Sequence, residues 1–473
     1  MRRILHYLGI GLEVLGALLV IPTLLAYYFG EPTFPFFISC ILSLAAGIVL
    51  ATYTKRENLP MSEALIFGAV LFLVIAGVGA IPYALSETFQ GGFVDAYFES
   101  MSGFTTTGLS VITNLGEQPK SLLFWRAFSQ WIGGIGIVVM FLSILMQPGM
   151  STFYLYKAEG REDRIWPSIV RTVRSQFKIY LLFTAVGALL LFLVGIPLFE
   201  SVSHVLTSLS TGGFSTSGAS AAALETMGSP WFVDLVVILL MIAGSTSFVL
   251  HRKILTGNIK SYFTNIEVRH FYFFLFLGFL VLVIDQFKNG DPMFLRHSIF
   301  QAVSALTTTG YTNMSMESLS EIGKYTLIML MLFGGSSGST SGGIKMIRLA
   351  ILFRSLPWYL KKLMLPPDAV VPLKIGGNEL NPQQAFLVSI YAMTYVFLLF
   401  LGTMVMLFDG FTLMESFFES TSALGTVGLS LGITTSLSIY SKIIVITQML
   451  LGRLEIIPIF AVLILFTKTG RYL

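Results

Sequence analysis

Four stretches of the chain repeat one pattern of hydroxyl and glycine residues. They read YFESMSGFTTTGLS (Tyr97 to Ser110), SHVLTSLSTGGFS (Ser203 to Ser215), FQAVSALTTTGYT (Phe300 to Thr312) and FFESTSALGTVGLS (Phe417 to Ser430). Aligned without gaps, Gly108, Gly213, Gly310 and Gly428 fall in register. Thr106, Thr211, Thr308 and Thr426 stand two residues earlier, and Leu109, Phe214, Tyr311 and Leu429 one later. The remaining positions hold Thr105 and Thr107, Ser210 and Gly212, Thr307 and Thr309, and Gly425 and Val427. Ser102, Thr207, Ser304 and Ser422 stand six before each glycine. A ring of backbone carbonyls can replace the hydration shell of a cation. Neighbouring hydroxyls add oxygen ligands, and glycine supplies backbone angles that other residues resist. One copy of the pattern reads equally well as an ordinary Ser/Thr/Gly turn; four copies in register favour a four-loop cation site. The second loop departs most, with Gly212 where two others have Thr.

Each loop must be positioned by what precedes it, about ten residues of helical pattern, too short to cross a membrane and suited to a re-entrant or interfacial helix. The extended glycine stretch that follows is tolerated at membrane depth only where it is buried or lines a water-filled path. A span, a re-entrant helix, an extended return and a second span make one unit, recurring about every hundred residues. Every unit starts and ends on the same side, so the four are parallel, around an axis along the membrane normal. Inverted repeats need units of opposite orientation. The fourth loop, TVGLS, is close to the TVGYG filter of potassium channels.

Composition agrees with a polytopic membrane protein. Of 473 residues, 55% are hydrophobic and 11% charged, with mean hydropathy +0.80. A soluble domain carries about 25% charged residues, so a soluble enzyme is excluded. The 41 Phe and low charge exclude disorder. The single Cys40 excludes an intrachain disulfide and a multi-Cys metal site. A net charge of +4 without a dense basic block gives no reason to expect a nucleic-acid partner. Ten apolar segments are long enough to cross: 8–28, 34–54, 63–84, 122–147, 178–198, 230–250, 269–286, 324–355, 385–408 and 439–467. The first is too long, and carries Glu13, for a cleavable signal peptide. The eighth and tenth are interrupted. With the N-terminus inside, only Lys120, Lys288, Arg296, Lys324 and Lys442 of the 29 lysines and arginines lie outside, while Arg126 and Arg453 fall within spans. The positive-inside rule then makes both termini cytoplasmic. Acids such as Glu31, Asp95, Glu225 and Glu317 collect outside, where they either gather cations or merely reflect avoidance of positive charge.

These spans imply an N-terminal pair (1–60), unit 1 (61–148), a cytoplasmic linker (149–177), unit 2 (178–256), unit 3 with a broken second span (269–357), a linker (358–382) and unit 4 (383–473). The fold expected is all-α: four parallel span–pore-helix–span repeats around a central pore, plus two extra N-terminal transmembrane helices. The break in unit 3 is the run Gly334, Gly335, Ser336, Ser337, Gly338, Ser339, Thr340, Ser341, Gly342 and Gly343. Each glycine costs a helix roughly 1 kcal/mol relative to Ala. A flexible loop here would sit beneath the filter and block it; the plainer reading is a kink for close packing. Arg453, deep in the last span, is an expensive charge that faces either a cavity or a structural partner, Glu455 or a carbonyl of the broken span. Lys345 either anchors the loop or snorkels. Glu99 and Glu419 match His204 and Gln301 in the other repeats; they either attract cations or bond backbone amides.

The chain resembles the Trk/Ktr/HKT superfamily of potassium transporters over about residues 60 to 473. The resemblance rests on the four loops, on WRAFSQWIGGIG (Trp125 to Gly136), on FGGSSGSTSGGIKMIR (Phe333 to Arg348) and on QMLLGRLEI (Gln448 to Ile456). The two extra N-terminal spans look like those of the TrkH branch. The resemblance implies a potassium filter at the four loops, with Gly108 marking potassium preference where plant relatives with Ser permit sodium. It implies a gate at Gly334–Gly343 with Arg453 projecting into the pore below the filter, no covalently bound cofactor, a homodimer, and a cytoplasmic nucleotide-binding regulatory ring of the TrkA type. The setting is the cytoplasmic membrane of a prokaryote. A sodium- or proton-coupled symporter of the same superfamily is the alternative. An intramembrane serine hydrolase fits poorly: Gly334 to Gly338 matches G-x-S-x-G, but the base must follow the serine and no His follows His297. An organic-solute carrier would want polar residues across several spans.

Overall fold

The structure, a computed structural model, describes residues 2–54, 57, 59–136, 169–366, 371–376 and 378–456. Its described part is helical except for one small hairpin, β1 (Leu373–Ile375) and β2 (Asn378–Leu380), paired antiparallel with Leu373 opposite Leu380. Helices α1 (Arg2–Phe29) and α2 (Phe34–Thr52) form the N-terminal pair. They approach backbone to backbone at small residues: a Cβ on Gly47 would fall 2.8 Å from the Gly9 carbonyl, the packing expected where neither helix gains by burying apolar surface from lipid.

Four units of like order follow. The first is α3 (Met61–Ala84), α4 (Phe93–Phe104) and α5 (Lys120–Ile135). The second is α6 (Ile169–Leu193), α7 (Leu198–Leu209), α8 (Pro230–Ser245) and α9 (Phe248–Leu255). The third is α10 (Ile266–Lys288), α11 (Phe294–Leu306), α12 (Glu321–Leu332) and α13 (Met346–Leu363). The fourth is α14 (Pro382–Phe408), α15 (Leu413–Leu424) and α16 (Ile439–Arg453). The second helix of each unit has 12, 12, 13 and 12 residues, about half the length needed to span.

Among the described residues six helices are long and apolar enough to cross a membrane, or seven with α8–α9 as one span. That pair corrects one expectation. The segment 230–250 is not continuous: it bends by 110° between Ser245 and Phe248. The run Gly244-Ser245-Thr246-Ser247 causes the bend, because Ser247 caps a new helix by accepting from the Val249 amide. The carbonyls of Gly244 and Ser245 are then free for other partners. The expected inner halves of the spans 122–147 and 439–467, and most of the linker 149–177, lie outside the described residues.

Glycines in the third helix of three units carry the weight of the packing. A Cβ on Gly133, Gly244 or Gly452 would fall under 3.0 Å from the carbonyl oxygen of Phe104, Leu209 or Leu424, which ends the short helix. Overpacking of this kind costs about 1–3 kcal/mol. Gly133→Ala and Gly452→Ala should therefore each lower the melting temperature measurably in detergent, whereas Gly68→Ala, with nothing within 4 Å, should not; equal melting of all three would refute the close-approach argument.

Candidate functional site

Each short helix ends in the same turn. In unit 1 the Thr106 amide donates to Gly103 O and the Thr107 amide to Ser102 O, at 3.0 and 2.9 Å. The corresponding pairs are Thr211–Ser208 and Gly212–Thr207, Thr308–Ala305 and Thr309–Ser304, and Thr426–Ala423 and Val427–Ser422. This is a Schellman ending, in which the residue past the helix is left-handed and is usually Gly. Here it is Thr four times, with φ of 57°, 52°, 58° and 50° for Thr106, Thr211, Thr308 and Thr426. A β-branched residue in that region is an outlier of the kind that clusters at functional sites. Two residues later Gly108, Gly213, Gly310 and Gly428 are also left-handed, at 91°, 76°, 84° and 93°.

The four glycines close a ring. A Cβ on Gly108 would fall under 3.0 Å from Gly212 O, one on Gly213 from Thr309 O, one on Gly310 from Val427 O and one on Gly428 from Thr107 O. Each glycine thus lies against the carbonyl that precedes the glycine of an adjacent loop, in cyclic order. Ser102 and Ser422 accept from the Gly108 and Gly428 amides, each at 3.0 Å. Thr105 and Thr107 pair through their hydroxyls at 2.8 Å, as do Thr307 and Thr309. Tyr311 reaches across to the second loop, its hydroxyl bonded to Thr207 Oγ1 and to His204 O at 3.3 Å.

The return strands are tethered by the residues nine before each glycine. Glu99 accepts from the Val111 amide at 3.0 Å and the Ser110 hydroxyl, and pairs with Arg126 at 2.8 Å. Arg126 also donates to Ser215 O at 2.7 Å and lies over the Phe214 ring. His204 Nε2 lies 3.1 Å from Ser215 Oγ, Gln301 donates to Asn313, and Glu419 accepts from Thr434. Of the two readings left open for Glu99 and Glu419, the geometry is that of a structural tether. Other outer acids are likewise engaged: Glu31 accepts from the first two amides of α5, Asp95 pairs with Lys442, and Glu225 with Arg296. Glu317 instead lines an open cavity of about 740 Å³ that reaches all four ring glycines.

On the other side of the ring lies the loop between α12 and α13. It is docked, not loose. Its base is closed by Gly334 N to Ile344 O and Ile344 N to Leu332 O, at 2.9 and 3.0 Å. Ser336 N donates to Ser245 O and Thr340 N to Gly244 O, the carbonyls freed by the bend after α8. Thr340 Oγ1 lies 2.9 Å from Gly244 O and 3.1 Å from Leu209 O. Gly342 N donates to Thr308 Oγ1 at 2.8 Å, and Thr211 Oγ1 to Thr340 Oγ1 at 3.2 Å. Thr426 Oγ1 fills the space a Cβ on Gly342 would need. Only Gly338 and Gly343 of this run have positive φ; Gly334, Gly335 and Gly342 are there for close approach.

Arg453 completes the underside. It donates to Thr106 Oγ1 at 3.2 Å, Thr340 O at 2.7 Å, Gly134 O at 3.0 Å and Gly133 O. The last two carbonyls end α5, the negative pole of a helix. Glu455 pairs with Arg348 instead. Lys345 is buried and donates to Ser341 O, within the loop. Between Arg453, Lys345 and Gly338 remains a cavity of only about 30 Å³, near the room of one water. The ring thus has a wide cavity on one face and, on the other, the docked loop with little space left beside it.

A predominantly helical chain with several apolar spans and such a ring of loops defines a multi-pass membrane protein. Residues 33–470 match the TrkH family of cation transport proteins, and the chain belongs to that family, whose members are transporters and not enzymes. It is 35% identical to an uncharacterized cation transporter of Methanocaldococcus jannaschii over 99% of this chain and 97% of the relative. It is 30% identical to the Trk system potassium uptake protein TrkH of Salmonella typhimurium over 99% of both. The crystal structure of the potassium transporter TrkH from Vibrio parahaemolyticus superimposes with a TM-score of 0.87 at 28% identity, covering 100% of this chain and 99% of that one.

Two site residues escaped sequence reasoning. Gln130 of α5 holds the second loop, and Glu267 at the start of α10 accepts from the Ser337 amide in the docked loop at 2.8 Å. Gln130 falls within the WRAFSQWIGGIG stretch, but nothing there marks its partner, and nothing local in the sequence marks Glu267. Removing the Glu267 acceptor should let the Ser337 amide exchange with deuterium at least about tenfold faster, the factor of ~1.4 kcal/mol, in Glu267→Ala, with Glu267→Gln intermediate; unchanged exchange would show that the tether holds nothing.

Proposed function

We propose that the chain takes up potassium ions across the cytoplasmic membrane of a prokaryote. The four units stand parallel around a central pore, and the four loops form its selectivity filter. Potassium, the transported substrate, sheds water at the outer mouth and is held by filter carbonyls. The Gly334–Gly343 loop is the gate, and Arg453 beside it sets an electrostatic barrier. An inside-negative potential drives entry, worth about 2.3 kcal/mol per 100 mV. The observation that carries this reading is the cyclic contact of each ring glycine with a neighbouring loop's carbonyl. The relatives named as potassium uptake proteins support the choice of ion. A homodimer and a cytoplasmic nucleotide-binding ring of the TrkA type belong to the same proposal, the ring acting on the gate from the cytoplasmic side.

Rubidium uptake into proteoliposomes holding a potassium gradient tests it. Uptake blocked by external potassium and not by sodium is expected. Gly108→Ser should loosen that preference, because its Cβ would strike Gly212 O. Deleting Gly334–Gly343 should raise flux if the gate is shut without its partner; no flux from the deleted protein, correctly folded, would sink the pore reading. Arg453→Ala should also raise rubidium flux several-fold while leaving the potassium preference intact, and a fall in preference would place the arginine in the filter's support instead.

A further inference from the structure

The second loop solves the ring's geometry differently from the other three. Gly212 stands where loops one, three and four carry Thr107, Thr309 and Val427. The space is taken by Gln130 from α5 of the preceding unit. Gln130 is fully buried. Its Nε2 donates to Gly212 O at 2.6 Å, and its Oε1 accepts from the Phe214 amide at 3.0 Å. A Cβ on Gly212 would fall under 3.0 Å from the carboxamide. Glycine and glutamine are therefore a matched pair: neither a side chain at 212 nor a differently placed one at 130 fits beside the other.

Gly212 O is also the ring carbonyl that lies against Gly108. The corresponding carbonyls of Thr107, Thr309 and Val427 receive no side-chain donor among the described residues. A carbonyl oxygen has two lone pairs, so one can be held by Gln130 while the other stays with the ring. A carboxamide gripping both sides of Gly213, through Gly212 O and the Phe214 amide, fixes the peptide planes on either side of the ring glycine.

We propose that Gln130 is a specificity-determining residue of the transport site, setting the position of the second loop's carbonyls and hence the preference for potassium over sodium. This inference rests on the filter reading above. Gln130 acts through the loop's backbone, so selectivity, and not flux or stability alone, is the quantity it moves.

The experiment compares rubidium uptake in proteoliposomes, with potassium or sodium as competitor, for the wild type and three variants, each checked for unchanged melting. Gln130→Met removes both hydrogen bonds at similar volume. Gln130→Glu, when ionised, keeps the acceptor for the Phe214 amide and loses the donor to Gly212 O. The double variant Gln130→Ala/Gly212→Thr installs the arrangement of the first and third loops. The expected result is a potassium-over-sodium preference reduced about tenfold in Gln130→Met and Gln130→Glu, the ratio equivalent to ~1.4 kcal/mol, and restored in the double variant. Wild-type preference in both single variants overturns the inference while leaving the filter intact. If Gln130→Met fails to fold, Gln130→Glu and the double variant decide by the same criterion. A wild type that shows no rubidium uptake even with the gate loop deleted overturns the filter reading and this inference with it.

Discussion

Everything else in this protein is arranged around a place where backbone meets backbone. At Gly108, Gly213, Gly310 and Gly428 the carbonyl of an adjacent loop occupies the volume of a Cβ. Because the contact is cyclic, each loop is located by its neighbour and locates the next. A shift in one loop has no slack to absorb it. The helices serve this requirement. The short helices deliver four chain ends to the same level, and Gly133, Gly244 and Gly452 let the following helices come close enough to support three of them.

The left-handed threonines are the second consequence. A left-handed residue with a Cβ costs about 1–2 kcal/mol, and glycine would avoid that. What threonine adds is a hydroxyl on the underside of the ring. Arg453 binds that of Thr106, Thr340 that of Thr211 and the Gly342 amide that of Thr308. Thr426 Oγ1 touches the loop only sterically and has no hydrogen-bond partner among the described residues. The strain is thus tied to contacts that join the ring to the loop below it, so ring and loop form one body in this state.

The repeated parts of the site were legible in the sequence, because repetition separates signal from an ordinary Ser/Thr/Gly turn. The ring glycines and the short helices came from that, while the break at Gly334 to Gly343 was marked by ten consecutive Gly, Ser and Thr residues inside an apolar segment. Single residues that act across units were not. Gln130 meets Gly212 at a separation of 82 residues and Glu267 meets Ser337 at 70, and neither carries a periodic mark. The bend after Ser245 was missed because a run of four small residues inside an apolar segment is compatible with a straight helix. The Gly/Ser run, expected as a flexible loop, is held here by hydrogen bonds to units 2 and 3, and the sequence did not mark them. Glycine offers both conformational freedom and the absence of a side chain, and a sequence does not say which is used. Outer acids posed the same problem, since Glu31 and Glu317 look alike until one is seen capping α5 and the other facing the cavity.

Under the gating proposed above, Thr340 is the residue whose contacts must break. Its amide and hydroxyl both bond Gly244 O, its hydroxyl also reaches Leu209 O, and its carbonyl accepts from Arg453. All three polar groups of one residue therefore join the loop to unit 2 and to the end of unit 4. These bonds are short and directional, and hydrogen bonds weaken steeply once geometry is lost. A displacement of little more than an ångström breaks them together rather than in turn. Arg453 would still keep the two carbonyls at the end of α5, so its charge stays compensated when Thr340 leaves. The arginine is thus anchored to the wall and the loop to the arginine, an arrangement in which the proposed opening of the loop would strand no charge inside the membrane.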